Sequence, residues 1–135
     1  MGGRAQSREK SAVDSAFDFT NGYAALRVLC GAFFIPHVVG KITAREASVA
    51  FFELAGLKPP QLWSYAAMAI EIALAACLIL GVLTVYAAYL ACVYLLIAAA
   101  ANFGLSRKWL WHIGGSEWPV FWALCCAVVG RYGTH

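Results

Sequence analysis

Charged residues are scarce in this sequence, and one long stretch has almost none. Only 13% of the 135 residues are charged, whereas 62% are hydrophobic and the mean hydropathy is +0.71. Between positions 59 and 106 the single formal charge is Glu71. A soluble domain is about half apolar and a quarter charged, so this composition excludes an ordinary water-soluble protein. Because a spanning helix needs about 20 mostly apolar residues, the stretch holds two spans back to back.

Cofactor-binding patterns are also missing. The five cysteines lie in apolar segments and show neither a disulfide framework nor a metal-type spacing. His37, Glu71, His112 and Glu117 have the chemistry of metal ligands, but no two of them stand at a metal-type spacing, so we predict no metal site. Without a haem-type histidine pair or an iron–sulfur cysteine cluster, we expect no redox cofactor of the chain's own. The net charge of +3 comes from residues at segment ends, and we expect no nucleic-acid partner.

Four apolar segments predict an all-α membrane protein, an antiparallel bundle of four transmembrane helices. The predicted spans are residues 23–41, 62–83, 84–104 and 117–132. The charged and apolar residues at 42–60 suit a short helix that lies in the membrane interface between helices 1 and 2. The second and third spans are antiparallel neighbours because their link is short and uncharged. We expect residues 1–21 to form a flexible polar tail, followed by a single membrane domain at 22–133.

Cations and tryptophans near the ends of the spans are expected to anchor the helices at the membrane surface. These anchors are Lys41, Arg45, Trp109, Trp111 and Trp118. Lysine and arginine are similar in number on the two sides, so the positive-inside rule does not decide the orientation.

The remaining polar residues are predicted to converge on one side of the bundle. With antiparallel spans, His37, Asn102, His112 and Glu117 all come to that side. Glu71 lies about 13 Å below it, near the middle of the bilayer, at 1.5 Å of rise per residue. Together these five residues form a candidate polar, quinone or proton site.

Two of these residues each have a structural and a functional interpretation. Glu71 either forms an ion pair with Arg27 that sets the helix register, or serves as a proton-relay or ligand-binding carboxyl group. His37 either satisfies a backbone carbonyl that Pro36 leaves free, or hydrogen-bonds a quinone and handles protons near neutral pH.

The order of several motifs resembles the DoxX family of small bacterial four-helix membrane proteins. The similarity begins with the residues Leu26, Arg27, Gly31, Phe34, His37 and Lys41. It continues with the segments AFFELAGLKPP, EIALAACLILGVLT, in which Glu71 matches a characteristic glutamate, and GGSEWPVFW. The resemblance covers residues 24–133, although Val38 stands where many members have glycine.

The resemblance implies an integral membrane subunit of a respiratory or redox complex. Thiosulfate:quinone oxidoreductase contains a related subunit, and another member links a superoxide dismutase with a thiosulfate-handling enzyme. The resemblance also implies a bacterial plasma membrane location with both termini cytoplasmic, other subunits and lipid as partners, and quinone or lipid as the bound molecule. The residues leave open a purely structural or assembly subunit, because alanine and glycine surfaces serve helix packing equally well.

Overall fold

The structure, a computed structural model, describes residues 2–133, apart from the side chain of Trp111. Over this range the chain is helical and forms no β-strand, as expected where backbone groups must be satisfied without water. The helices are α1 (Gly2–Ala16), α2 (Gly22–Thr43), α3 (Arg45–Leu54), α4 (Pro60–Leu80), α5 (Thr84–Ser106) and α6 (Glu117–Tyr132), with a short 3₁₀ turn at Trp111–Ile113.

Three of the helices are long and apolar enough to cross a bilayer. α2, α4 and α5 contain 22, 21 and 23 residues, with mean hydropathies of 1.5, 1.9 and 1.9. At 1.5 Å per residue each is more than about 30 Å long, the thickness of the hydrocarbon core. These helices agree with the first three predicted spans to within three residues at each end. The protein is therefore a multi-pass helical membrane protein.

The fourth predicted span corresponds to α6, which is shorter. Its 16 residues rise about 24 Å, less than the hydrocarbon core. α6 packs along α5 and also contacts α2, and it buries Ala123, Cys126 and Val129 completely. Its helical bounds match residues 117–132, while its role as a fourth transmembrane crossing remains a prediction.

The N-terminal segment differs from the expected flexible tail, because α1 is helical from Gly2 to Ala16. Its side chains are almost all exposed. In the turn that follows, the Asp18 carboxylate accepts hydrogen bonds from Thr20 Oγ1 at 2.5 Å and from the Thr20 amide at 3.1 Å. These two bonds, the hydroxyl bond first, lower the pKa of Asp18.

The helices pack most extensively in two antiparallel pairs, α2 with α4 and α5 with α6. Gly31 allows the first pair to approach closely, since a Cβ atom there would lie 2.8 Å from Ile79 Cγ1 and 3.0 Å from the Ala75 carbonyl oxygen. Gly130 does the same in the second pair, against the ring of Tyr89. Small residues at such contacts are typical of membrane helices.

The short helix α3 lies within the segment predicted at 42–60. None of its residues is buried. The hydroxyl groups of Ser48 on α3 and Ser64 on α4 share a hydrogen bond of 2.8 Å, and Ser64 is buried. This bond holds α3 against the first turns of α4, beside the end of α2.

Large apolar side chains cover the outer surface of the spanning helices. Tyr86, Leu90 and Ile97 of α5 and Leu124 of α6 are all more than 60% exposed. An exposed apolar surface of this kind is a liability in water but is the expected boundary with lipid. The surface thus agrees with the membrane assignment made from composition.

Candidate functional site

Glu71 forms the centre of a hydrogen-bonded network that joins three helices. Its side chain on α4 is only 3% exposed. Lys41 Nζ, from the last turn of α2, donates to Glu71 Oε1 at 2.8 Å and to Oε2 at 3.0 Å. Tyr94 Oη, from α5, donates to Oε1 at 2.8 Å. We refer to Lys41, Glu71 and Tyr94 as the Glu71 network.

The network compensates the negative charge of Glu71 inside the membrane. A charge near mid-membrane costs at least about 2.5 kcal/mol on insertion scales, so an unpaired Glu71 would be strongly unfavourable. The ammonium group of Lys41 neutralises the carboxylate, and the Tyr94 hydroxyl satisfies a further acceptor position. Lys41 therefore serves as the partner of Glu71, beyond the anchoring role predicted for it.

Arg27 does not take the predicted place beside Glu71. Its guanidinium group is 3% exposed and donates to the carbonyl oxygen of Ile79 at 2.9 Å, and also to the carbonyl oxygens of Leu78 and Ala16. These carbonyls lie at the C-terminal ends of α4 and α1, where helices leave acceptors unpaired and carry partial negative charge.

The predicted ion pair between Arg27 and Glu71 is therefore wrong, since Glu71 pairs with Lys41. Glu71 lies seven residues before Leu78, about 10 Å along α4, so the two residues are at different depths. The turn after α4 passes the guanidinium group at Gly81, whose φ of +72° suits glycine. A Cβ atom at Gly81 would lie 3.0 Å from Arg27 Nη1. Arg27 thus joins α1, α2 and the end of α4.

His37 lies one turn before Lys41 on α2, and its side chain is exposed at the helix surface. The helical spacing places it on the same face of α2 as Lys41, whose ammonium group holds Glu71. Its ring centroid is 4.7 Å from that of Phe33. His37 is therefore placed between the buried network and the lipid-facing surface.

An aromatic cluster that includes His37 lies where α2 meets α6. It consists of Phe33, His37, Trp118, Phe121 and Trp122. Phe33 and Trp122 are stacked, with ring centroids 4.8 Å apart and an angle of 22° between the rings. The Trp122 Nε1 atom is buried and has no hydrogen-bond acceptor among the described residues. The cluster thus contains a buried donor, Trp122 Nε1, and an exposed imidazole, and both rings contact Phe33.

The other predicted site residues belong to the connection between α5 and α6. Asn102 Nδ2 donates to the Gly114 carbonyl oxygen and to Ser116 Oγ, both at 3.1 Å, and Ser116 Oγ donates to the Ala99 carbonyl oxygen at 2.8 Å. His112 lies in the same connection. Asn102 follows Tyr94 by eight residues, about 12 Å along α5. The predicted site residues therefore do not form one cluster. Glu71 belongs to the Glu71 network, whereas Asn102 belongs to a separate set of hydrogen bonds that holds the α5–α6 connection in place.

Glu117 is the first residue of α6, and the anchor residue Trp118 follows it. Trp109 and Trp118 are 50% and 45% exposed, as expected for side chains at the membrane surface. Arg45 is exposed as well and lies over the Tyr65 ring. The predicted anchor Trp111 falls outside the described side chains.

Within residues 2–133, no three His, Cys, Asp or Glu side chains gather as a metal ion would require. None of the five cysteines forms a disulfide bond, and Cys30 and Cys126 are fully buried in the apolar core. The chemistry this region offers is hydrogen bonding and proton exchange at side chains.

Sequence reasoning missed Tyr94. Nothing in the pattern of α5 distinguishes this tyrosine from Tyr86 and Tyr89, which are exposed. Only the contact of α5 with α4 brings its hydroxyl group to Glu71.

The helices and the buried network together define a multi-pass α-helical membrane protein with an ionisable group inside its helix packing. The profile of the DoxX family matches residues 22–105, which is more than half of the chain. The protein belongs to the DoxX family. The matched range contains the whole Glu71 network and ends before α6. No curated protein matches the chain, and no solved structure does.

Proposed function

We propose that the protein is an integral membrane subunit of a respiratory or redox complex, which presents a quinone-binding surface and has no redox cofactor of its own. The single observation that carries this proposal is the buried Glu71 network beside the exposed imidazole of His37. Ionisable groups within membrane spans are expensive and therefore mark ligand or proton paths by default.

We propose that the carboxyl group of Glu71 exchanges a proton within this network. Glu71 Oε1 accepts from both Lys41 and Tyr94, whereas Oε2 accepts from Lys41. A proton taken up at Oε2 would remove the negative charge that holds Lys41 and would leave the Tyr94 bond in place. Since His37 lies one turn away at the lipid-facing surface, its imidazole is suited to deliver or receive that proton.

The aromatic cluster has the features that fit a quinone. The stacked rings of Trp118 and Phe121, which are 45% and 53% exposed, provide a flat apolar surface next to the stack of Phe33 and Trp122. The unpaired Trp122 Nε1 and the imidazole of His37 are donors of the kind that a ring carbonyl accepts. A bound quinone would supply two-electron, two-proton chemistry, and electrons would come from partner subunits.

The proposed setting is the bacterial plasma membrane, with both termini in the cytoplasm. The C-terminal end of α2 and the α5–α6 connection then face the periplasm. The partners in this setting are membrane lipid and the other subunits of the complex.

Native purification tests the proposal directly. The protein would be isolated from its own membrane in a mild detergent, and the preparation analysed for redox subunits by mass spectrometry and for quinone by solvent extraction. We expect both to be present. A homogeneous preparation of this chain without either would contradict the proposal.

Variants test the residues. His37→Ala and Trp122→Phe should lower the quinone content of the assembled complex several-fold, because each removes a donor. Val39→Ala and Trp109→Phe are matched controls, since both side chains are exposed outside the cluster. Loss of quinone in the controls as well would point to general damage to the fold.

A second candidate is a purely structural or assembly subunit. The observation that favours it is the saturation of Glu71 by Lys41 and Tyr94, as in an ion pair that only sets the helix register. In that case Glu71→Gln and His37→Ala would leave electron transfer unchanged wherever the complex assembles. An assembled but inactive complex would exclude this candidate.

A further inference from the structure

Two adjoining cavities lie where α2 ends and α4 begins, on the side of α3. The first has a volume of about 200 Å³ and is lined by Lys41, Ile42, Arg45, Val49, Gln61, Ser64, Tyr65 and Met68. The second, of about 470 Å³, is more open and is lined by Arg45, Glu46, Val49, Ala50, Glu53 and Gln61. The two cavities adjoin at Arg45, Val49 and Gln61, which line both, and together we call them the α3 cleft.

The first cavity is the cationic end of the cleft. Arg45 lies over the Tyr65 ring, with its Cζ atom 5.2 Å from the ring centroid. This cation–π contact orients the guanidinium group but leaves its hydrogen-bond donors available. Lys41 lines the same cavity while it holds Glu71. Two cations therefore meet here, only one of which has a carboxylate partner among the described side chains.

The second cavity is the acidic end. Glu46 and Glu53 both line it, seven residues apart, which places them two turns apart on the same face of α3. Positive and negative groups are thus separated along the cleft, with Arg45 at the boundary. A ligand that matches this arrangement carries an anionic group and a cationic group a short distance apart.

The surroundings of the cleft are apolar and already ordered. Ile42, Val49 and Met68 contribute to its wall. The Ser48–Ser64 hydrogen bond holds α3 against α4, so the cleft does not depend on a ligand to form. On the same face of α4, Tyr65 and Ile72 are 48% and 54% exposed and continue the apolar surface along the span.

We propose that the α3 cleft binds the head group of a zwitterionic phospholipid that has a primary amine, namely a phosphatidylethanolamine. The phosphodiester lies at the Lys41 and Arg45 end, and the ammonium group at the Glu46 and Glu53 end. The acyl chains follow the apolar surface of α4. A primary ammonium has three N–H donors for the two carboxylates, whereas a choline group has none.

The test uses the full-length purified protein in detergent and native mass spectrometry. Phosphatidylethanolamine, its N-methylated and N,N-dimethylated forms, phosphatidylcholine and phosphatidylglycerol are added with identical acyl chains. One charge-assisted hydrogen bond is equivalent to about a tenfold difference in affinity, so we expect about tenfold weaker binding of phosphatidylcholine, with a graded loss across the methylated series. Equal binding of all five lipids by the unaltered protein would overturn the proposal.

Variants separate the two ends of the cleft. Arg45→Gln should weaken phosphatidylethanolamine and phosphatidylglycerol alike, whereas Glu46→Gln combined with Glu53→Gln should weaken only the former. Arg107→Gln is the matched control, because Arg107 is an exposed cation outside the cleft. If phosphatidylglycerol binds the unaltered protein as tightly as phosphatidylethanolamine, the carboxylates do not contribute and the proposal is wrong.

A further arm distinguishes a lipid from a soluble ligand. sn-Glycero-3-phosphoethanolamine has the same phosphodiester and ammonium groups but no acyl chains, so it should not displace the lipid at equal concentration. Displacement at equal concentration would assign the cleft to a soluble zwitterion and overturn the lipid proposal.

Discussion

Two cations on α2, the buried Arg27 and the half-buried Lys41, are stabilised in different ways. Arg27 donates to the carbonyl groups of Ala16, Leu78 and Ile79, which are fixed in number and never change protonation. Lys41 pairs with the carboxyl group of Glu71, which can take up a proton. The Arg27 end of the molecule is therefore suited to holding helices together. In the function proposed above, the Lys41 end is where proton exchange takes place, because the partner of Lys41 is a carboxyl group.

The strongest test of this comparison is Arg27→Met. The substitution leaves three helix-end carbonyls without their buried donor, and each hydrogen bond to a charged group contributes about 1.5 to 3 kcal/mol. We expect a loss of about 4 kcal/mol in the free energy of unfolding, measured by denaturation in mixed micelles. Arg107→Met, an exposed cation, is the control and should change little. Equal stability of the two variants would show that the carbonyl contacts do not matter.

A double-mutant cycle tests the second charge. Lys41→Met and Glu71→Leu each leave an unpaired charge, while the combination removes both. The losses in the free energy of unfolding of the two single variants should therefore add up to more than the loss of the double variant. We expect the difference, the coupling energy, to be about 2 kcal/mol in the same unfolding measurement. Additive losses would mean that Lys41 and Glu71 do not interact.

Gly31 lies between Arg27 and Lys41 on α2. Its substitution tests whether both cations depend on the close contact between α2 and α4. Gly31→Ala adds a Cβ atom 3.0 Å from the Ala75 carbonyl oxygen, so α2 must shift on α4. We expect a loss of about 1.5 kcal/mol, typical of overpacking. Gly40→Ala on the same helix meets nothing within 4 Å and should be neutral or stabilising. Identical stabilities would contradict the close approach.

The smallest expected effect is that of Tyr94→Phe. It removes one hydrogen bond to Glu71 and leaves the ion pair intact, so we expect a loss of about 1 kcal/mol. Tyr86→Phe is the matched control, since Tyr86 is on the same helix and 72% exposed. The difference between the two variants in thermal midpoint measures the Tyr94 contact alone, and a difference of zero would remove Tyr94 from the network.

Much of the fold follows from local properties of the sequence. The bounds of α2, α4, α5 and α6 agree with the predicted spans to within three residues, because length and hydropathy are local signals. The helix in the N-terminal segment was not expected, since its exposed polar residues carry no periodic apolar pattern. Its last carbonyl is bound by Arg27, a contact that local pattern does not reveal.

The candidate site was only partly predictable, for a geometrical reason. Helical rise gives the depth of Glu71, and at that depth its carboxyl group could approach either Arg27 or His37. The rotation of each helix about its axis decides which side chain reaches the carboxyl group. That rotation turns Lys41 and Tyr94 towards Glu71 and leaves His37 at the surface.

The sequence by itself determined that this protein enters a membrane, and that Glu71 does not stand there as a lone charge facing lipid. Both conclusions follow from the cost of exposing apolar groups to water and charges to lipid, which depends on composition alone. Only the tertiary structure decided that the partner is Lys41 and that Arg27 holds the ends of two helices. The physical reason is that partners are chosen by how helices pack side by side, and packing joins residues about 30 positions apart in the chain.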